Sequence, residues 1–299
     1  MSDTDDLRHD VDPSAGEGET GEPLRVLVTG QGSFIARHLL PILARGRGLA
    51  VKAVGHREAE AAVARGDAGV LINCALDPAF RRADYDPDHD MDLRLARRFR
   101  GTHMIMLSSR KVYGPRNDWP AREAGPALGA DAYGRNKAIT ERALQDDLGD
   151  RLTVLRLSNV AGFEYPEPGR RTFMALVLSR LKQDGVIHYD MDPAQERDFV
   201  PLDRAVAFIV GAVRSGPGGI LNAGSGIPLA TGDLARWIMD GFGGGRLTVE
   251  DRGIQDRFVL DMARTHAAFP HLPPLTRADL ERHFKDLGAR LRAAPFTAR

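Results

Sequence analysis

The 299 residues, 42% hydrophobic and 27% charged, suffice for one large core or a core with a smaller annexe, which excludes a chain disordered throughout. No run approaches the eighteen apolar residues of a membrane span, the opening MSDTDDLRHD lacks the flanks of a secretory signal, and the single cysteine, Cys74, can form neither an internal disulfide nor a thiolate metal cluster; a cytoplasmic protein without a metal is expected. The formal charge of zero hides a division: residues 1–23 are net −7 and the remainder +7, too thinly spread to announce a nucleic acid but suited to a small anionic ligand.

Residues 1–22, acidic and without an aromatic residue, cannot bury enough surface to offset their ordering entropy, and a disordered tail is expected there. From residue 24 short apolar runs alternate with amphipathic helices. Strands are expected at Leu24–Thr29, Ala50–Val54, Val70–Cys74, His103–Leu107, Thr153–Leu157 and Gly219–Asn222, most of them apolar throughout, as buried parallel strands are. Helices are expected at about Phe34–Arg45, from Tyr133 along AYGRNKAITERAL, and near Thr172–Asp184 and Leu202–Arg214. Residues 55–69 are too few for a full strand-helix unit, so the second unit is read as truncated. The last third is helical and loop-rich, with Trp237 and a Gly243-Gly244-Gly245 turn.

The first strand runs directly into Gly30-Gln31-Gly32-Ser33-Phe34-Ile35-Ala36 and then a helix. A dinucleotide pyrophosphate needs such a place: an unobstructed turn, backbone N–H groups aimed at its oxygens, and a helix N-terminus whose dipole favours negative charge. In the G-x-G-x-x-G register the third position falls on bulky Ile35, so that register fails. Read as T-G-x-x-x-x-x-A, the turn starts at Gly30 and brings Ala36 where helix meets sheet, with Ser33 at a place that usually holds glycine. The fold class is therefore α/β, a Rossmann-type doubly wound parallel sheet. Residues 23–165, with further core segments near 198–224, form its dinucleotide-binding domain, and 166–197 with 225–299 a small substrate-binding part.

Two further motifs carry chemistry. Tyr133 and Lys137 lie four apart and project from one helix face, and Ser109 ends a strand within Ser108-Ser109-Arg110-Lys111-Val112-Tyr113-Gly114. With the glycine turn, these segments resemble the extended short-chain dehydrogenase/reductase family and its NAD-dependent epimerase/dehydratase members, whose patterns are T-G-x-x-G-x-x-G, S-S-x-x-V-Y-G and Y-x-x-x-K. Arg197-Asp198-Phe199-Val200 and the LNAGSG segment at Leu221–Gly226 resemble later motifs of the same family, so the likeness covers about residues 23 to 285.

The resemblance implies a mechanism. A phenol, with a pKa near 10, is a poor proton donor or base at neutral pH until a neighbouring ammonium stabilises its phenolate. Lys137 would supply that charge and hold the nicotinamide ribose, Tyr133 would exchange the proton, and Ser109 would hydrogen-bond the reacting oxygen. Cofactor contacts are expected from Gly30, Ser33, Phe34, Ile35, Cys74, Ala75, Leu76, Tyr133, Lys137 and Ser158. Substrate contacts are expected from Ser109, Asn159 and Arg197, with Arg252 a second candidate for a diphosphate. Arg57, after the second strand where no acid grips a ribose diol, points to NADP, with NAD the alternative.

Dehydratases of the family place an Asp-Glu pair directly after the catalytic hydroxyl; here Arg110 and Lys111 stand there and cannot do that work. The leading expectation is an NAD(P)-dependent reductase of a keto group, at C4, of a nucleotide-linked sugar, acting as a homodimer without nucleic acid or membrane. A nucleotide-sugar 4-epimerase retaining NAD, and a non-catalytic dinucleotide sensor, are the alternatives.

Overall fold

Runs that are apolar on both faces pair as inner strands of a covered sheet, because neither face can be left to water. In the computed structural model, which describes residues 22–114, 119–166, 172–250, 253 and 257–296, the expected strands are β1 (Leu24–Thr29), β2 (Leu49–Val54), β3 (Val70–Asn73), β4 (His103–Ser109) and β5 (Leu152–Leu157), and of these β2, with Lys52 exposed, lies at the edge. Short strands follow at β6 (Asn159–Ala161), β7 (Val186–Tyr189), β8 (Glu196–Arg197) and β9 (Phe199–Pro201), then β10 (Gly219–Ala223), β11 (Leu229–Ala230) and β12 (Arg246–Val249). The expected acidic tail lies outside the described residues, apart from exposed Glu22.

The first five strands and β10 form one all-parallel sheet in the order β10-β5-β4-β3-β1-β2. The chain steps outward from β1 to β2, then returns past β1 to β3. The reversal between β1 and β3 is where a doubly wound sheet opens a crevice at its strand C-termini.

The helices are α1 (Phe34–Arg45), α2 (Ala59–Ala64), α3 (Met91–Ala96), α4 (Ala132–Leu148), α5 (Phe173–Asp184), α6 (Leu202–Ser215), α7 (Thr231–Phe242), α8 (Ala263–Ala268) and α9 (Arg277–Ala293). Side chains alternate across the sheet: Val26, Val28, Ile72, Ile105, Leu155 and Leu221 meet α1 and α6, whereas Leu27, Leu71, Met104, Met106 and Val154 meet α2, α3 and α4. The doubly wound α/β architecture expected from the sequence is present. Its second unit holds only the short α2, as the length of residues 55–69 requires, and this leaves β2 as the sheet edge. No helix among the described residues is long and apolar enough to cross a membrane.

A second core gathers α5, α7, α9 and β7 around Phe199, Trp237 and Phe284; the Phe284 ring meets Phe199 edge-on at 6.0 Å and stacks on Trp237 at 6.4 Å. Helices α7 and α9 touch backbone to backbone, and a Cβ on Gly288 would overlap the carbonyl oxygen of Ile238. Gly288→Ala is therefore expected to lower stability by about 1–3 kcal/mol, or more if α9 cannot shift. Urea unfolding of the variant checks this, and unchanged stability would show that the two helices are free to separate.

Candidate active site

The glycine turn is shaped by close approach. Gly30 has φ 70°, and a Cβ there would lie 2.5 Å from the Ala75 nitrogen and 2.7 Å from the Cys74 carbonyl carbon. Only glycine lets the turn lie flat against the end of β3. Ser33 then caps α1, its Oγ accepting the Ala36 N–H at 3.2 Å, so the side chain folds back onto the helix and does not block the turn. Phe34 and Ala36 are buried, and Ile35 and Leu76 half-buried. The turn, the N-terminus of α1 and the Cys74–Ala75 backbone thus form a cradle that a side chain would fill, and they fit a dinucleotide pyrophosphate. Burial, reinforced by the charge of Asp92 and opposed by a hydrogen bond with Ser33, pushes the Cys74 thiol up to about 12, so it remains a neutral wall of the cradle. Arg57 is exposed just beyond β2.

Helix α4 starts at Asp131, whose carboxylate accepts the Gly134 N–H at 2.8 Å and pairs with Lys111. Gly134 matters for a second reason: a Cβ there would overlap the carbonyl oxygen of Lys111, so its absence lets the 3-10 turn Arg110–Tyr113 press onto α4. Ser109, which caps that turn by accepting the Lys111 N–H at 3.3 Å, is thereby brought toward the helical turn that carries Tyr133. Tyr133 is half-buried, edge-on to Phe80 at 6.4 Å. Lys137 lies one turn on, buried, with its Nζ 5.6 Å from the centre of the same Phe80 ring. Tyr133 and Lys137 therefore share one aromatic wall.

Lys137 also has a partner that sequence reasoning missed. Its ammonium donates to Asp92 Oδ2 at 2.7 Å, with both side chains buried. Asp92 Oδ1 accepts from Asn73 Nδ2 at 2.7 Å, and Asn73 Oδ1 accepts from Thr29 Oγ1 at 2.6 Å and from the Ala75 N–H at 2.9 Å. Burial disfavours the lysine charge, but attraction to Asp92 and then to Tyr133 outweighs it and holds the Lys137 pKa above the ordinary lysine value. Behind this group, Glu141 accepts from Ser108 and forms a buried pair with Arg156 at 2.6 Å. Neither was singled out in the sequence: Asp92 gives no signal in a short M-D-L-R-L-A helix, whereas Glu141, four residues after Lys137 on the same helix, is one that helical spacing could have pointed to.

On the other bank, Ser158 is buried and donates its N–H to Ala223 O at 3.0 Å, and half-buried Asn159 donates its N–H to Asp198 O at 3.4 Å. Arg197 lies half-buried in β8. The Asp198 carboxylate accepts the N–H groups of Ser225, Gly226 and Leu260 at 2.8, 3.0 and 3.1 Å, tying the LNAGSG segment to the RDFV segment. Phe258 joins the two banks, its backbone bridged to Arg197 and its ring 3.7 Å beneath the Arg110 guanidinium. Arg252 lies outside the described residues.

A glycine turn where the order of a parallel sheet reverses, together with a tyrosine and a lysine one helical turn apart, is the arrangement expected of a dinucleotide-dependent enzyme of the Rossmann class. The profile of the NAD dependent epimerase/dehydratase family matches residues 26–224. A dTDP-4-dehydrorhamnose reductase of Streptomyces griseus is 29% identical over 218 residues, covering 67% of this chain and 70% of the relative. Among solved structures, RMD from Pseudomonas aeruginosa complexed with NADPH superposes with a TM-score of 0.71 at 23% identity, over 91% of this chain and 98% of that one. UDP-glucose 4-epimerase from Thermotoga maritima with UDP-glucose gives 0.74 at 19% identity, over 89% and 99%. The chain belongs to the NAD dependent epimerase/dehydratase family and is an NAD(P)-dependent oxidoreductase or epimerase of the extended short-chain dehydrogenase/reductase type.

The ion pair yields a prediction with a definite sign. Because the folded-state lysine value is raised, the pair's contribution is fully present below the unfolded value of about 10.4 and fades only as pH climbs through the folded one. Asp92→Asn leaves an unpaired buried ammonium and should cost about 3–5 kcal/mol at neutral pH. Burial then pushes Lys137 below its unfolded value, so the deficit should shrink as pH rises and the lysine sheds its charge. Urea unfolding of both proteins across this range checks it; a deficit that grows with pH contradicts the assignment.

Proposed function

We propose that this protein reduces a keto group, at C4, of a nucleotide-linked sugar, with NADPH as the preferred reductant. The observation that carries this reading is the placement of Lys137 beside Tyr133 on one aromatic wall, with the Ser109 turn held against the same end of α4 by Gly134. The reductase named among the relatives supports the reaction type, and Arg110 and Lys111 after Ser109 argue against water elimination. When bound, the cofactor supplies the hydride. Ser109 donates a hydrogen bond to the sugar oxygen, Tyr133 gives that oxygen its proton, and Lys137 holds the ribose and favours the charge left on Tyr133.

In this reading Gly30, Ser33, Phe34 and Ile35 receive the pyrophosphate, Cys74, Ala75 and Leu76 line the cofactor's path, and Ser158 meets the nicotinamide. Asn159 and Arg197, with Arg252, hold the substrate, and the second core around Phe284 is its binding part. The exposed Arg57 pairs with a 2′-phosphate, the basis of the NADP preference. The chain acts as a homodimer through the outer side of α4, where Ile139 is 43% exposed and Leu128, on the segment leading into the helix, is 57% exposed.

The test is to measure NADPH and NADH oxidation against nucleotide-linked 4-keto sugars, with mass spectrometry of any dinucleotide that copurifies. Tyr133→Phe should lower kcat roughly 100- to 10,000-fold while cofactor still binds. Lys137→Ala should lose both rate and cofactor affinity, and Arg57→Ala should cut the preference for NADPH about tenfold. Tightly held NAD with sugar isomerisation and no net oxidation would identify a 4-epimerase instead. Full turnover in Tyr133→Phe would overturn both.

A further inference from the structure

Arg81 closes the 3-10 turn Ala79–Arg81 between β3 and α3, and the mechanism above leaves it unused. Its place is fixed from both sides. Phe80 is buried, and the buried Asn136 amide donates to the carbonyls of Phe80 and Ala83 at 2.9 and 3.1 Å, fastening this loop to α4 between Tyr133 and Lys137. The Arg81 guanidinium lies over the Tyr133 ring, 5.2 Å from its centroid, and no carboxylate pairs with it among the described residues.

Several other charges near this end of α4 are engaged elsewhere. Lys137 is bound to Asp92 and Lys111 to Asp131; Asp90 receives the hydroxyls of Thr140 and Tyr85, and Arg110 sits over Phe258. Opposite charges 2.7 Å apart cancel much of each other's field a few ångströms away, so Lys137 is a weaker source of positive potential at Tyr133 than a lone ammonium would be. A cation above an aromatic ring is attracted by the ring face, and more strongly once the ring bears a full negative charge.

We propose that Arg81 supplies the uncompensated positive charge that stabilises Tyr133 as it gives up its proton. The proposal rests on the reading of Tyr133 as the proton donor. In that step the Tyr133 O–H bond breaks, its electron pair stays on the tyrosine oxygen, and the proton goes to the sugar oxygen that has gained the carbonyl electron pair; Tyr133 is then reprotonated from water. Arg81 touches neither sugar nor cofactor in this scheme and acts through Tyr133 alone.

Two readouts test it on the full-length protein. The first is the near-ultraviolet phenolate absorbance at one alkaline pH, taken as the difference from Tyr133→Phe so that only Tyr133 is read. Arg81→Gln should show severalfold less Tyr133 phenolate than the wild type, and Arg81→Lys should recover most of it. The second is steady-state kinetics with the 4-keto sugar nucleotides: kcat should fall roughly tenfold in Arg81→Gln with KM little changed, and Arg81→Lys should restore part of the loss. An unchanged phenolate signal overturns the proposal, as does a raised KM at constant kcat, which would make Arg81 a substrate contact. If the wild type turns over no sugar nucleotide, the functional reading fails while the absorbance comparison still decides the role of Arg81.

Discussion

The buried pair of Lys137 and Asp92 is the constraint on which the rest of the crevice depends. Through Asp92 it reaches Asn73, and through Asn73 it reaches Thr29 and the Ala75 amide, so one run of hydrogen bonds joins α4, α3 and the ends of β3 and β1. The same run ends at Cys74–Ala75, the backbone against which Gly30 packs. Lys137 and the glycine turn at Gly30 are therefore not independently placed. A shift of α4 that broke the pair would expose two desolvated charges to an apolar surrounding, a cost of several kcal/mol that apolar contacts cannot offset.

Helix α4 is held mainly in this polar way. The residues it buries include Asn136, Lys137, Thr140 and Glu141, with the buried aliphatics Leu144 and Leu148 both toward its C-terminus. Glu141 takes Arg156, Arg156 lies 4.7 Å over the Tyr113 ring, Tyr113 donates to Asn222, and Asn222 receives the Thr265 hydroxyl on its carbonyl. An apolar face would let a helix slide by a fraction of a turn at little cost, but directional bonds to charged partners allow one register. In the proposed reaction this single register would place the proton donor, where misplacement by about an ångström is expensive in rate.

The sheet was legible because most of its strands are apolar on both sides. The expected and observed bounds of β1 coincide, and β4 was read two residues short only because it continues through Ser108 and Ser109, which pair with Arg156 and Leu157 although serine is a weak strand former. Strands of two to four residues such as β6, β8 and β11 carry no periodicity and were not read. The Tyr133 and Lys137 spacing was legible because it is local. Asp92 was not, since forty-five residues separate it from Lys137 and periodicity reports which face is buried without naming a distant partner. Arg81 was hidden for the same reason: one arginine in a loop has no pattern until Asn136 is seen to fix the loop.

The truncated second unit bears on cofactor choice. With only α2 between β2 and β3, no strand lies beyond β2 among the described residues, and the chain after Val54 runs exposed through His56 and Arg57. An open strand edge invites pairing with another chain, and here β2 is six residues long with the charged Lys52 exposed in its middle, which blunts that hazard. The same openness leaves the place where a ribose would be gripped without a packed wall. In the proposed preference for NADPH, selectivity for a 2′-phosphate would come from a long side chain able to reach it, and arginine, whose planar fork keeps its charge and binds two oxygens at once, is the residue type suited to that task.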